Sequence, residues 1–271
     1  QMQEYEVKTR DNLSLVVKNW NEGDVASEQA LLIIHGIGEH QGRYEHVADH
    51  FVSKGYDVYT YDQRGHGLSG GKRGHSPGVD YNLDDLEDVI ASIKHSELFL
   101  YGHSFGGNVL VNYLVRRKNE KLKSAVLSGA WMKLKIQPSK IDLVLATVMN
   151  SVYPSFTQEN KLDVTTLSNI EEVGQKYLAD PLVHSKISAG LFKSFYASGL
   201  FAIENAISLN TPTLLIHGAD DEIVDPEGSK EFASRAENAE LKIYSDTKHE
   251  LHNDNKAEEV LEFVSSWLEG K

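Results

Sequence analysis

Several polar side chains, far apart in the chain, have the types and the order of a hydrolytic nucleophile and its partners. Ser104 stands in Gly102-His-Ser-Phe-Gly106, a G-x-S-x-G pattern. A serine hydroxyl is a weak nucleophile and needs a base, usually a histidine, which a carboxylate orients. The candidates for these two roles, in chain order, are Asp220, Asp221, His249 and His252. These residue types predict covalent catalysis by serine.

The G-x-S-x-G pattern is weak evidence alone, because it arises by chance about once in ten chains of this length. Its surroundings make it more specific. An apolar run at 98–101 ends at the pattern, and helical spacing at 108–117 begins just beyond it. A nucleophile elbow needs this sharp turn from strand to helix. The alternative is a glycine-rich turn that only packs a helix on a strand.

Each candidate directly follows a predicted strand, which is what brings such residues together. Strands are predicted at 98–101, before Ser104, at 213–217, before the aspartates, and at 240–244, before the histidines. The carboxyl ends of parallel strands meet at one edge of a sheet. The order Ser, Asp, His in three such loops is the order expected of an α/β-hydrolase triad.

The rest of the chain alternates between strands and helices. A hairpin at 4–20 precedes strands at 30–34, 57–61, 98–101 and 124–129, with helices at 44–54, 83–95 and 108–117. This alternation predicts an α/β fold, a mostly parallel central sheet with helices on both faces. A polar linker joins the hairpin to the strand at 30–34.

The alternation stops between 131 and 209, where the spacing indicates helices and no strand. Apolar centres lie at 141–149 and 191–200. We therefore expect a core domain of 1–130 and 210–271, with 131–209 as an inserted helical cap. The apolar residues of the cap line an acyl pocket, or form its packing face, or both.

Composition excludes several classes of function. The chain has 271 residues, 40% of them apolar and 25% charged, as in ordinary globular proteins. A net charge of −13 argues against a nucleic-acid partner and against steady residence on an anionic membrane. Cysteine is absent from the sequence, so no disulfide or thiolate metal site is expected. No signal peptide or membrane-spanning run is predicted, and a cytoplasmic protein is expected.

Three further patterns have competing interpretations. The glycines Gly65, Gly67 and Gly70 match a dinucleotide fingerprint, but no helix opens within it, so we reject a nucleotide site. His249-Glu-Leu-His252 is one residue short of the H-E-x-x-H zinc pattern. His103 and His66 lie in tight turns and are interpreted as structural, and the pair His46 and His50 as an exposed helix face.

An oxyanion needs two converging N–H donors. Phe105, directly after the serine, is expected to supply one from its backbone. Ile37, in the turn after the strand at 30–34, is the natural second. Only the backbone amides of these residues matter for this role.

Together, four segments of the chain resemble the monoglyceride lipases of the α/β-hydrolase superfamily. They are His35-Gly-Ile-Gly-Glu-His-Gln-Gly-Arg-Tyr44, Asp62-Gln-Arg-Gly-His-Gly-Leu-Ser69, the elbow, and His249-Glu-Leu-His252. The resemblance runs through the core in order and is weakest in the cap. It implies the α/β-hydrolase fold, Asp221 rather than Asp220 as the acid, and His249 as the base. It also implies that Glu39, Arg43 and His252 lie near the glycerol end of a substrate, although Glu39 and Arg43 could instead form a surface ion pair.

The expected activity is therefore hydrolysis of a monoacylglycerol or similar lipid ester through an acyl-enzyme on Ser104, with no cofactor or metal. A lysophospholipase or a short-chain carboxylesterase of the same fold is the nearest alternative. A ligand receptor that keeps a hydrolase fold is the alternative outside enzymes. The apolar cap suggests transient contact with micelles or membranes.

Overall fold

The computed structural model describes residues 3–21 and 27–271, which form ten strands and eight α-helices. The strands are β1 Gln3–Lys8, β2 Ser14–Asn19, β3 Gln29–Ile34, β4 Asp57–Tyr61, β5 Glu97–His103, β6 Leu122–Ser128, β7 Thr157–Glu159, β8 Lys186–Ser188, β9 Thr213–Gly218 and β10 Ala239–Tyr244. The helices are α1 Glu45–Ser53, α2 Val79–Ser92, α3 Phe105–Arg116, α4 Lys140–Val152, α5 Glu171–Ala179, α6 Ala189–Glu204, α7 Pro226–Arg235 and α8 Ala257–Glu269.

Eight strands form one central sheet, in the order β1-β2-β4-β3-β5-β6-β9-β10. The pairs β1–β2 and β2–β4 are antiparallel, and all the other neighbours are parallel. The predicted hairpin and mostly parallel α/β sheet are thus confirmed. The carboxyl ends of β3, β5, β6, β9 and β10 consequently share one edge of the sheet.

Both faces of the sheet are covered by helices, so its central strands are apolar along their whole length. In β3, Leu31 and Ile33 pack with α1 and α8, whereas Leu32 and Ile34 pack on the opposite face with α2, α3, α6 and α7. Successive side chains of a strand point to opposite faces. A continuous apolar run, rather than an alternating one, is what this position requires.

The prediction for α2 was displaced by about one turn. The helix begins at Val79, not at residue 83, and ends at Ser92. Its first N–H group is held by a distant residue, because Val79 N–H donates to Ser194 Oγ at 2.9 Å. A start fixed by a tertiary contact leaves no local signal. The polar linker expected before β3 falls partly on residues 22–26, and the N-terminal prediction partly on residues 1–2, outside the described residues.

The 131–209 segment contains α4 and α6 at its two predicted apolar centres, but the expectation of no strand was wrong. β7 and β8 pair antiparallel, with Thr157 opposite Ser188. Each strand has only three residues, which is too short for a periodic pattern, and their pairing joins residues about thirty positions apart. Helix α6 packs on α3, and its buried side chains Leu191 and Phe195 join the same apolar cluster as the sheet.

Candidate active site

Ser104 lies at the sharp turn between β5 and α3. Its backbone has φ 54° and ψ −114°, a conformation that costs an L-residue energy. The turn needs glycine on both sides, because a Cβ on Gly102 would lie 2.6 Å from the Gly106 carbonyl oxygen, and one on Gly106 would collide with the Ile34 carbonyl. The backbone geometry is therefore that of a nucleophile elbow.

Asp221 lies in the loop after β9 and is buried, whereas its neighbour Asp220 is exposed. Its Oδ1 accepts hydrogen bonds from the backbone N–H groups of Ile223 (2.9 Å) and Val224 (3.0 Å). Its Oδ2 accepts from the His249 ring at 2.7 Å. Burial opposes ionisation of the Asp221 carboxyl, but His249 and the other donors outweigh it and hold its pKa well below the usual range. Asp221 is thus a buried carboxylate.

The His249 ring follows β10 and meets Asp221 through Nδ1. Because an ionised carboxylate only accepts hydrogen bonds, Nδ1 carries the proton and Nε2 of a neutral ring is left as a base. Burial alone would lower the pKa of His249. The charge of Asp221 and its hydrogen bond outweigh burial, so the pKa of His249 is raised above 6.5.

The cavity beside these residues is lined by both Ser104 and His249, so the two side chains face the same space. The hydrogen bonds among the described residues do not include one between Ser104 Oγ and the His249 ring. Such bonds are often long in free enzymes and tighten when substrate binds. Among the same residues, neither the Ile37 nor the Phe105 backbone N–H donates to an acceptor, so both amides can receive an oxyanion.

The cavity has a volume of about 190 Å³ and a mainly apolar wall. Its apolar lining residues are Ile37, Trp131, Leu134, Leu162, Leu167, Ile187, Phe192, Ile223 and Val224. Most of these belong to the 131–209 segment. Its polar lining includes Glu39, His103 and Glu250 beside the candidate triad. The cavity suits a ligand with an apolar part and a polar end.

The three residues expected near a glycerol group are placed differently from one another. Glu39 lines the cavity, whereas Arg43 and His252 are not among its lining residues. Glu39 and Arg43 form a buried ion pair, not a surface pair, with Arg43 Nη1 at 2.7 Å from Glu39 Oε1. His252 is fully buried, stacks on Tyr44, and burial lowers its pKa to about 3. A role for these residues in binding glycerol stays a prediction.

Three residues at the site were not found by sequence reasoning. His217, at the end of β9, places Nε2 at 3.1 Å from Asp221 Oδ2 and at 3.1 Å from the Val224 carbonyl. Both are acceptors, so Nε2 carries the proton and orients the Asp221 carboxylate. Glu250 and His103 line the cavity, although His103 had been interpreted as only structural. Of the three, only His217 had a sequence feature that could have indicated it, because it lies four residues before Asp221 at the end of a strand.

A cation could in principle lie among Glu39, His103 and Glu250, whose ligand atoms are within 4.8 Å of one another. Arg43 already bridges the two carboxylates, at 2.7 Å from Glu39 and 2.8 Å from Glu250. A metal would have to displace this buried guanidinium. The arrangement therefore favours a protein cation over a metal ion at this position.

The Hydrolase_4 family profile, described as "Serine aminopeptidase, S33", matches residues 26–256. A monoacylglycerol lipase from Mycolicibacterium smegmatis is 34% identical over 252 residues, which cover 90% of this chain and 89% of that protein. The chain belongs to the monoglyceride lipase family of α/β-hydrolases.

Two further similarities agree with membership of the monoglyceride lipase family. The crystal structure of the Paleococcus ferrophilus monoacylglycerol lipase superposes with a TM-score of 0.84 at 28% identity, over 99% of this chain and 98% of that one. An uncharacterized abhydrolase domain-containing protein of Dictyostelium discoideum is 35% identical over 96% of this chain. The chain spans only 28% of that longer relative. None of the helices in the described part of the chain has the length and apolar character to cross a membrane.

Because Asp221 is buried and Asp220 is exposed, the same substitution at each position gives a matched pair of variants. We expect Asp221→Asn to lower turnover of a soluble ester by about 10⁴, as in other Ser–His–Asp triads, because an amide no longer selects the His249 tautomer. Asp220→Asn makes the same change of side chain and charge at the exposed neighbour, and should leave turnover nearly unchanged. Steady-state kinetics with p-nitrophenyl butyrate measures both. A larger loss in Asp220→Asn would contradict the assignment.

Proposed function

We propose that the protein hydrolyses monoacylglycerols to glycerol and free fatty acid. The observation that carries the proposal is that His249, paired with the buried Asp221, faces the same apolar cavity as the strained Ser104. The Mycolicibacterium smegmatis and Paleococcus ferrophilus relatives, both named monoacylglycerol lipases, support the same substrate class.

In the proposed reaction His249 Nε2 takes the Ser104 proton while Oγ attacks the ester carbonyl. The Ile37 and Phe105 amides hold the resulting oxyanion, and Asp221 stabilises the imidazolium. The tetrahedral intermediate then collapses. The bond to glycerol breaks, and the His249 proton goes to the leaving alkoxide. Water repeats the sequence on the acyl-enzyme and releases the fatty acid. This sequence uses only the groups of the chain and water.

The substrate orientation follows from the lining of the cavity. The apolar wall suits the acyl chain, and the 131–209 segment, which we propose to be a cap over the core, supplies most of it. Glu39 and Glu250 suit the glycerol end. The proposed contributions of Arg43 and His252 there are indirect: Arg43 bonds to Glu39, and His252 stacks on Tyr44, whose hydroxyl donates to Glu39 at 2.8 Å.

Replacing the nucleophile tests the activity directly. We expect Ser104→Ala to abolish hydrolysis of monoacylglycerols of every chain length, because no other hydroxyl occupies the elbow, and to leave the circular dichroism spectrum unchanged. Lysophosphatidylcholine, p-nitrophenyl butyrate and a diacylglycerol complete the substrate panel. Preference of the wild type for lysophosphatidylcholine or the short ester would favour the two alternative esterases. A single burst of product without turnover would indicate a ligand receptor instead.

The raised pKa of His249 predicts where activity is lost in acid. The ring must be neutral to accept the Ser104 proton, and a raised pKa keeps it protonated up to a higher pH. We therefore expect kcat/KM for p-nitrophenyl butyrate to fall as pH decreases, with a midpoint above 6.5. His103 and His252, whose pKa values burial lowers, should add no second step there. A flat profile from pH 5 to 8 would contradict His249 as the base.

Helix α4 offers a surface for the transient contact with lipid aggregates that we propose. Its exposed apolar side chains recur three or four residues apart, and so share one face: Ile141, Val144, Leu145, Val148 and Val152. With a net charge of −13, the protein should favour neutral over anionic lipid surfaces.

Substitutions on α4 should separate lipid contact from chemistry. We expect Val144→Ser with Val148→Ser to slow hydrolysis of a long-chain monoacylglycerol in phosphatidylcholine vesicles, because less apolar surface enters the lipid. Hydrolysis of soluble p-nitrophenyl butyrate should be unchanged. Ile207→Ser, at an even more exposed apolar residue outside α4, is the control. An equal loss with both substrates would contradict a role in lipid contact.

A further inference from the structure

Two buried carboxylates beside the candidate triad share one arginine. Arg43 donates to Glu39 Oε1 at 2.7 Å and, through both of its Nη atoms, to the two oxygens of Glu250 at 2.8 Å each. Glu39 and Glu250 are each only 2% exposed, and the Arg43 side chain 11%. We call these three residues the Glu39–Arg43–Glu250 cluster. The triad reaction described above does not use it.

The cluster connects two loops whose relative position the reaction requires to be fixed. At one end, Glu39 Oε2 accepts from the Gly36 N–H at 2.8 Å, directly before the Ile37 amide that would face the oxyanion. At the other end, Glu250 directly follows His249, and its own N–H donates to the Leu167 carbonyl at 2.8 Å. We call the loop after β3, which carries the Ile37 amide, the donor loop, and the loop after β10, which carries His249, the base loop. The two loops are thus joined through side chains.

The connection is stiff for a physical reason. A bidentate pair between arginine and a carboxylate fixes the orientation of both groups as well as their distance. The Arg43 guanidinium also lies over the Tyr177 ring, 5.0 Å from its centroid, and Asn253 donates to Glu250 Oε1 at 2.9 Å. Moving either loop would leave buried charges without their partners, which is costly.

We propose that Glu250 is a positioning residue, which acts through Arg43 and Glu39 to hold the Ile37 amide and the His249 ring in the mutual geometry that the reaction requires. This rests on the proposed function only in that Ser104 and His249 carry out the chemistry. It assigns Arg43 to the link between loops, and not to direct contact with glycerol.

The charge of the cluster supports the same inference. Two carboxylates and one guanidinium leave a net negative charge beside His249, which favours the imidazolium formed during attack. Burial lowers the pKa of His249, whereas Asp221, Glu250 and Glu39 raise it. The titratable and charged groups facing the ring are Asp221, from the loop after β9, Glu39 and Arg43, from the segment after β3, His103, at the end of β5, and Glu250 and His252, from its own loop.

The test uses Glu250→Gln, which keeps the size of the side chain and removes its charge. Arg43 retains Glu39 as a partner, so the fold should persist. Glu262→Gln is the matched control, because Glu262 is exposed and its ion pair is with Lys54, away from the cluster. Four quantities are measured for each: kcat and KM with p-nitrophenyl butyrate, the rate of inactivation by a fluorophosphonate, and the pH midpoint of kcat/KM.

For Glu250→Gln we expect kcat and the inactivation rate to fall together by roughly tenfold, a modest case of the loss that misplaced catalytic groups produce. KM should change little, and the pH midpoint should move downwards, since a charge that raises the pKa of His249 is gone. Glu262→Gln should match the wild type. A Glu250→Gln protein that melts earlier but keeps the wild-type kcat and midpoint would overturn the proposal.

Arg43→Lys provides a second route, because lysine keeps the charge but cannot bond both carboxylates in fork geometry. If the two residues act as one link, the losses in kcat from Arg43→Lys and Glu250→Gln should not add in the double variant. Additive losses would overturn the link. Failure of the wild type to hydrolyse monoacylglycerols would reject the proposed function alone, because p-nitrophenyl butyrate and the fluorophosphonate still test the positioning role.

Discussion

The buried carboxylate of Asp221 is the charge on which the rest of the site depends. A carboxylate buried away from water must accept hydrogen bonds from protein donors. Asp221 accepts them from two backbone N–H groups, the His217 ring and the His249 ring. The parallel pairing of β9 with β10, with Gly218 opposite Tyr244, starts both loops from the same edge of the sheet. The sheet register thus fixes the acid–base pair, and this pair fixes the tautomer and raises the pKa of the base.

Sequence reasoning recovered the elements whose cause is local or periodic. The strand β4, Asp57–Tyr61, has its predicted bounds, and the apolar run at 30–34 lies within β3, since a strand buried on both faces tends to be a continuous apolar run. It failed where distant residues decide. The start of α2 depends on Ser194, and the β7–β8 pair depends on contacts between residues 157 and 188. Neither leaves a trace in the spacing of nearby side chains.

The same distinction applies to the candidate site. Ser104 and the aspartate and histidine candidates were predicted because each follows a strand in a fixed order, and the family resemblance chose Asp221 over Asp220 and His249 over His252. Glu250 was missed, because a glutamate next to a histidine has no pattern of its own. Its significance comes from Arg43, which is 207 residues away in the chain and bonds to both of its oxygens. Buried charge networks of this kind become visible only once the fold has assembled them.

The candidate site therefore lies beside two buried groups of negative charge, Asp221 and the Glu39–Arg43–Glu250 cluster. An apolar cavity wall keeps the local dielectric low, so in the proposed reaction both groups act strongly on the imidazolium that forms as Ser104 attacks. The oxyanion, by contrast, needs donors and not negative charge near it. Arg43 reconciles these demands, because it neutralises one carboxylate of the cluster and lets Glu39 use its other oxygen to hold the Gly36 amide. The donor loop is thereby held by a carboxylate whose charge Arg43 compensates through the other oxygen. On this proposal, three residues carry out the chemistry, and the three residues of the cluster set the field and the geometry in which they react.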